Sequence, residues 1–91
     1  MELELRFFAT YREIAGEKTV FREWADGATV GDVLDDLAEE HPDMELFEDD
    51  GSIRDFITVM KNGKDVAHLE GRETDLADGD ALSIFPPVAG G

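Results

Sequence analysis

The order of alternating and helical patterns along this chain predicts an α+β fold, a mixed sheet of about four or five strands with one main helix packed on one face. Three observations carry that expectation. Leu3, Leu5 and Phe7 alternate with Glu2, Glu4 and Arg6, the period of a half-buried strand. Val30, Val33, Leu34, Leu37 and Ala38 recur at helical spacing behind Thr29, and the opposite face is acidic. Ala81 to Phe85 is an apolar run that Pro86-Pro87 ends, because proline lacks an N–H and fixes φ.

Taken in order, the first strand continues through Phe8 and Ala9. Thr10 with Glu13 reads as a capping box opening a short helical turn, and Gly16 closes it. Ile14 is the expected core contact of that turn; Tyr11 either packs or lies on the surface. Residues 17–24 read as a second strand, antiparallel to the first. Val20 and Trp24 share one of its faces, and Phe21 points to the other. Thr29 N-caps the main helix, Asp32 occupies its third position, and Pro42 follows its end at His41. Residues 43–54 form a loop that tucks Met44, Leu46 and Phe47 inward and exposes residues 48–51. Phe56 to Lys61 reads as a third strand. Asn62-Gly63 is a strong hairpin turn, with Lys64-Asp65-Val66 beginning the return. Leu69 and Leu76 are expected in the core, and Asp78-Gly79-Asp80 turns the chain into the last strand. A final strand running parallel beside the first, through a right-handed crossover, gives a β-grasp fold whose second sheet face is open.

Length allows one domain, residues 1–85, followed by a flexible tail, 86–91. Apolar content of 42% is ordinary, so the acidity does not signal disorder. The net charge of −15 is spread along the chain and reads as a solvated surface. Self-repulsion of that size is tolerable where molar salt cuts the Debye length to about 3 Å, as in the cytosol of a halophilic archaeon. The same charge argues against nucleic acid and anionic membrane as partners. No cysteine is present for a disulfide or thiolate site, and no apolar run reaches membrane length. The start lacks the pattern of a signal peptide, so a cytoplasmic protein, monomeric when free, is expected.

No catalytic constellation stands out. His41 and His68 are solitary, and Asp49-Asp50-Gly51 and Asp78-Gly79-Asp80 lack the spaced ligands of a calcium loop. No metal or bound cofactor is expected. The chemistry-bearing stretch is Pro86-Pro87-Val88-Ala89-Gly90-Gly91. Two glycines carry no β-carbon, and six extended residues reach roughly 20 Å. Such an arm reaches another protein's active site while the folded body stays outside. Phe8, Met60 and Phe85 either form a partner surface on the open sheet face, continued by Pro86, Pro87 and Val88, or pack under loops.

Leu5 to Gly16 resembles the opening of the small subunit of molybdopterin synthase. Thr29 to Leu34 is similar to the helix start of that family and of thiamine-type sulfur carriers. Asp78 to Gly91 resembles the family's ending, and the acidity is similar to that of small archaeal ubiquitin-like modifiers. The resemblance implies a ubiquitin-like β-grasp fold and a protein that is acted upon. An E1-like enzyme would use ATP and magnesium to adenylate Gly91, with Gly90 beside it in a narrow slot. The acyl group would then pass to lysines of target proteins as an isopeptide. Sulfur would also replace AMP, giving a C-terminal thiocarboxylate; the alternative is a dedicated sulfur carrier for molybdenum cofactor synthesis, with the molybdopterin synthase large subunit as partner, or for tRNA thiolation. Lys18, Lys61 and Lys64 are possible acceptors of a further copy. A non-covalent interaction module with an idle Gly-Gly end is the alternative of another class.

Overall fold

The computed structural model describes residues 1–87. Five strands form one mixed sheet in the order β2-β1-β5-β3-β4, where β1 is Glu2–Phe7, β2 Thr19–Glu23, β3 Thr58–Lys61, β4 Lys64–Asp65 and β5 Ala81–Phe85. β1 and β5 pair in parallel at the centre, with Leu5 beside Leu82 and Phe7 beside Ile84. The other pairings are antiparallel. Two helices, α1 (Ala9–Ala15) and α2 (Val30–Glu40), complete the β-grasp.

The pleat decides which side chains meet α2. Leu3, Leu5, Phe7, Leu82, Ile84 and Val59 point inward and are buried. Val30, Val33, Leu34 and Leu37 of α2 pack onto them, with Ala38 partly buried at the margin. Thr29 caps this helix by accepting from the Asp32 amide, and the Asp32 carboxylate accepts from the Thr29 amide in return. Glu40 near the unfavourable C-terminus is held by both terminal guanidinium nitrogens of Arg22, at 2.9 and 2.8 Å. The loop after α2 buries Met44 and Leu46 and half-buries Phe47, while residues 48–51 are exposed. At the hairpin, Asn62 and Gly63 both have positive φ, 50° and 84°, as the turn between antiparallel strands requires.

Five local expectations are corrected. Thr10 and Glu13 form no capping box: α1 starts at Ala9, and Phe8 occupies the cap position with no side-chain bond. The chain leaves β1 through Ala9 in left-handed backbone (φ 51°), so the turn begins early and Thr10 is already helical. The third strand starts at Thr58, because the Ile57 amide donates to Arg54 O and closes a turn that leaves Phe56 80% exposed. The return strand stops at Asp65, whose carboxylate accepts from the Ala67 amide and starts a 3₁₀ turn, Val66–His68. Leu69 ends that turn exposed, and Val66 fills the core in its place beside Leu76. In α1 the buried contact is Tyr11, with Ile14 only half-buried.

Candidate functional site

β5 lies between β1 and β3 and delivers the chain to Pro86-Pro87 at the edge of the open face. Outward positions of β1, β5 and β3 converge there. Phe8, one residue beyond β1, and Phe85, the last of β5, stack with ring centroids 4.2 Å apart and planes 16° apart. Offset stacking of this kind contributes about 1 kcal/mol beyond burial alone. Arg12 of α1 places its guanidinium 5.9 Å from the Phe8 ring, and its Nε donates to Phe7 O at 3.3 Å. Met60 shares the open face, in register with Ser83 one pleat back from Phe85. All three apolar residues are half-buried, so the face is neither hidden under loops nor fully bare.

Pro86 is half-buried and Pro87 exposed, and both border a cleft walled by Thr10, Tyr11 and Ile14 of α1 and by Asp43 to Glu45. The sequence gives no signal for that wall, because it depends on where the loop after α2 returns. Tyr11 fixes it: its buried hydroxyl donates to Met44 O at 2.8 Å. Burial pushes the phenol up to about 12, with Arg54 opposing and Glu45 adding smaller effects. Val88, Gly90 and Gly91 lie outside the described residues, as does the expected arm beyond Pro87.

The three lysines differ. Lys18 precedes β2 and Lys64 opens β4, both exposed. Lys61 is engaged: its Nζ donates to Asp75 O at 3.0 Å and lies 4.0 Å from Asp80. The two acidic turns use their carboxylates internally. Asp50 accepts from both the amide and hydroxyl of Ser52, which holds its carboxyl below the ordinary range. Asp78 accepts from the Glu2 amide, and Asp80 from Asn62 and the Ala77 amide. His41 caps the end of α2 and an exposed His68 closes the 3₁₀ turn Val66–His68, so they sit on separate elements. Among the described residues no cluster of three metal-ligating side chains occurs. Arg72, which the sequence gives no structural reason to single out, clamps the 3₁₀ turn Gly71–Glu73 to α2: both its terminal nitrogens donate to Asp35, at 3.0 and 2.8 Å, raising its pKa, and its guanidinium lies 4.7 Å from the Phe47 ring.

This strand order, with one main helix across one face and an aromatic pair where the last strand exits, defines a ubiquitin-like β-grasp protein. The chain belongs to the ThiS family, whose model matches residues 5–91. It is 54% identical to small archaeal modifier protein 3 of Haloferax volcanii over the full length of both chains. The crystal structure of SAMP1 from Haloferax volcanii superposes with a TM-score of 0.83 at 40% identity, covering all of both chains. The sulfur carrier protein CysO of Mycobacterium tuberculosis is 36% identical over 84% of this chain and 83% of its own. No helix among the described residues is long and apolar enough to cross a membrane.

Proposed function

We propose that this protein is a ubiquitin-like modifier that also carries sulfur, and that both activities run through the carboxylate of Gly91. The observation that carries the reading is the exit of the central strand β5 into Pro86-Pro87 beside the stacked Phe8–Phe85 pair. The relatives support it, since one is named a modifier and another a sulfur carrier. A carboxylate is a poor electrophile. Its oxygen attacks the α-phosphorus of magnesium-bound ATP in an E1-like enzyme, and pyrophosphate leaves. The acyl adenylate then has AMP as a good leaving group. A lysine amine displacing AMP gives the isopeptide, and hydrosulfide displacing AMP gives the thiocarboxylate. In both cases the protein is co-substrate and not catalyst. Phe8, Phe85 and Met60, continued by Pro86, Pro87 and Val88, supply binding energy remote from the reacting carbon. The bare backbone of Gly90-Gly91 passes a slot that a β-carbon would block. The sulfur route makes the molybdopterin synthase large subunit a second partner.

Deleting Gly91 tests this reading. Conjugates and thiocarboxylate should both vanish while the melting curve is unchanged, because the buried core is built from residues between Leu3 and Ile84. Conjugates that persist after the deletion would overturn it. Mass spectrometry separates the two routes. Arg72 is the last basic residue, so trypsin leaves the whole segment Glu73–Gly91 on a modified lysine. That segment on other proteins establishes conjugation, and a free C-terminal peptide with one oxygen replaced by sulfur establishes sulfur carriage.

A further inference from the structure

The outer edge of β2 is the long open edge of the sheet: among the described residues no strand pairs with it. Its hydrogen-bonding groups can be assigned. The Phe7 amide donates to Lys18 O, and Met1 and Trp24 exchange bonds between their nitrogens and carbonyls. With the register of Leu3 opposite Arg22 and Leu5 opposite Val20, residues 18, 20, 22 and 24 bond inward to β1. The N–H and C=O groups of Thr19, Phe21 and Glu23 therefore point out from the edge. Their side chains lie on the open face, where Phe21 is 61% exposed.

We infer that this edge pairs antiparallel with the β2 edge of a second copy, about a two-fold axis at Phe21. Charge favours a second copy as the occupant, and charge together with the overlap of β2 selects the register. A continuous sheet with both open faces on one side needs same-parity residues opposite one another. Centred on Phe21, the pairs are Phe21 with Phe21, Thr19 with Glu23, Val20 with Arg22 and Lys18 with Trp24. No like charges oppose. Centred on Arg22 the arginines face each other, and centred on Glu23 the glutamates do; centred on Val20, Lys18 faces Arg22 and Glu17 faces Glu23. Centred on Thr19 no like charges meet, but the pairing runs over Glu17 and Lys18, outside β2, and leaves Glu23 unpaired. In a chain with 23 acidic residues, a segment that opposes itself without repulsion is the exception. The outward backbone groups match as well, because residues 19, 21 and 23 are the ones whose donors and acceptors are free for this register. The pairing joins two sheets and covers the two exposed Phe21 rings with one another. It leaves Phe8 and Phe85 clear, since β1 separates β2 from β5.

Association is weak, because only a short strand pairs and the interface falls below the usual size of stable complexes. It also strengthens with salt: net repulsion acts over distances beyond the Debye length, whereas facing cross-strand pairs are in contact.

Sedimentation equilibrium on the intact chain, at protein concentrations up to about 2 mM and in dilute and roughly 2 M KCl, reads this directly. The expected result is a monomer–dimer equilibrium that tightens with salt. Phe21→Lys sets like charges opposite and abolishes the dimer. Thr19→Lys creates two Lys–Glu cross-strand pairs and tightens the dimer roughly two- to thirtyfold, whereas Thr19→Glu weakens it. Both are measured against Ala67→Lys and Ala67→Glu, which change the charge equally at the far side of the sheet. All three positions are exposed, and far-ultraviolet circular dichroism confirms each fold. On dimerisation, amide exchange slows at Thr19, Phe21 and Glu23 and is unchanged at Val20 and Arg22. A monomer at the highest concentration in high salt overturns the inference. So does a dimer indifferent to the sign of the charge at position 19, which would place the contact elsewhere.

Discussion

Replacing Tyr11 by phenylalanine removes one oxygen from the wall of the cleft beside Pro86, and its effect on stability should reverse with pH. At neutral pH the variant loses a buried hydrogen bond of 2.8 Å and leaves Met44 O without that donor. A cost of about 1.5 kcal/mol follows, or a melting temperature lower by roughly 6–12 °C for a domain of this size. The wild type carries a compensating liability at high pH. Burial raises its phenol from 10.0 in the unfolded chain to about 12 in the fold. The unfolded chain therefore releases this proton first. The stabilisation is fully present below pH 10 and is lost as pH rises toward 12, at about 1.4 kcal/mol per unit. Phenylalanine has no such dependence. The two stability curves should approach above pH 10 and meet near pH 11, where about 1.5 kcal/mol of the wild type's advantage has gone. Urea midpoints measured in parallel between pH 7 and about 11.5 decide it. A gap that stays constant with pH, or a variant as stable as wild type at pH 7, would show that Tyr11 is not a buried donor to Met44.

Two further outcomes follow from the packing and the charge. Gly31→Ala should destabilise by about 1–2 kcal/mol despite alanine's better helix propensity. Its β-carbon would meet Arg72 Cβ at 2.9 Å and Arg72 O at 3.0 Å, so the Gly71–Glu73 turn must shift; thermal melting no lower than wild type's would refute the close approach. The melting temperature should rise from dilute buffer to molar potassium chloride as repulsion among 23 acidic residues is screened, and a flat profile would contradict that account.

Elements governed by local chemistry were legible. The α2 cap at Thr29 and Asp32, the Asn62-Gly63 turn and the inward face of β1 follow from side-chain type and spacing alone. The stacking of Phe8 on Phe85 was legible only as a shared face, since parity places both outward while contact depends on the β1–β5 register. What the pattern misassigned sits where a backbone bond overrules a propensity. Phe56 looks like strand until Ile57 closes a turn on Arg54, and Thr10 looks like a cap until Ala9 takes left-handed backbone.

The half of the site that escaped the sequence is its support, and the reason is physical. Tyr11 and Ile14 lie three apart on the same short helix, so periodicity marks both as core candidates. Only the loop after α2 decides between them, by bringing Met44 O to the Tyr11 hydroxyl. That loop has no strong period of its own, and its path is set by Leu46 and Met44 seeking the core and by Arg72 stacking over Phe47 from a turn some 25 residues on. A tail's chemistry can be written in its last residues. The surface from which it departs is assembled by contacts between segments that carry no mark of one another.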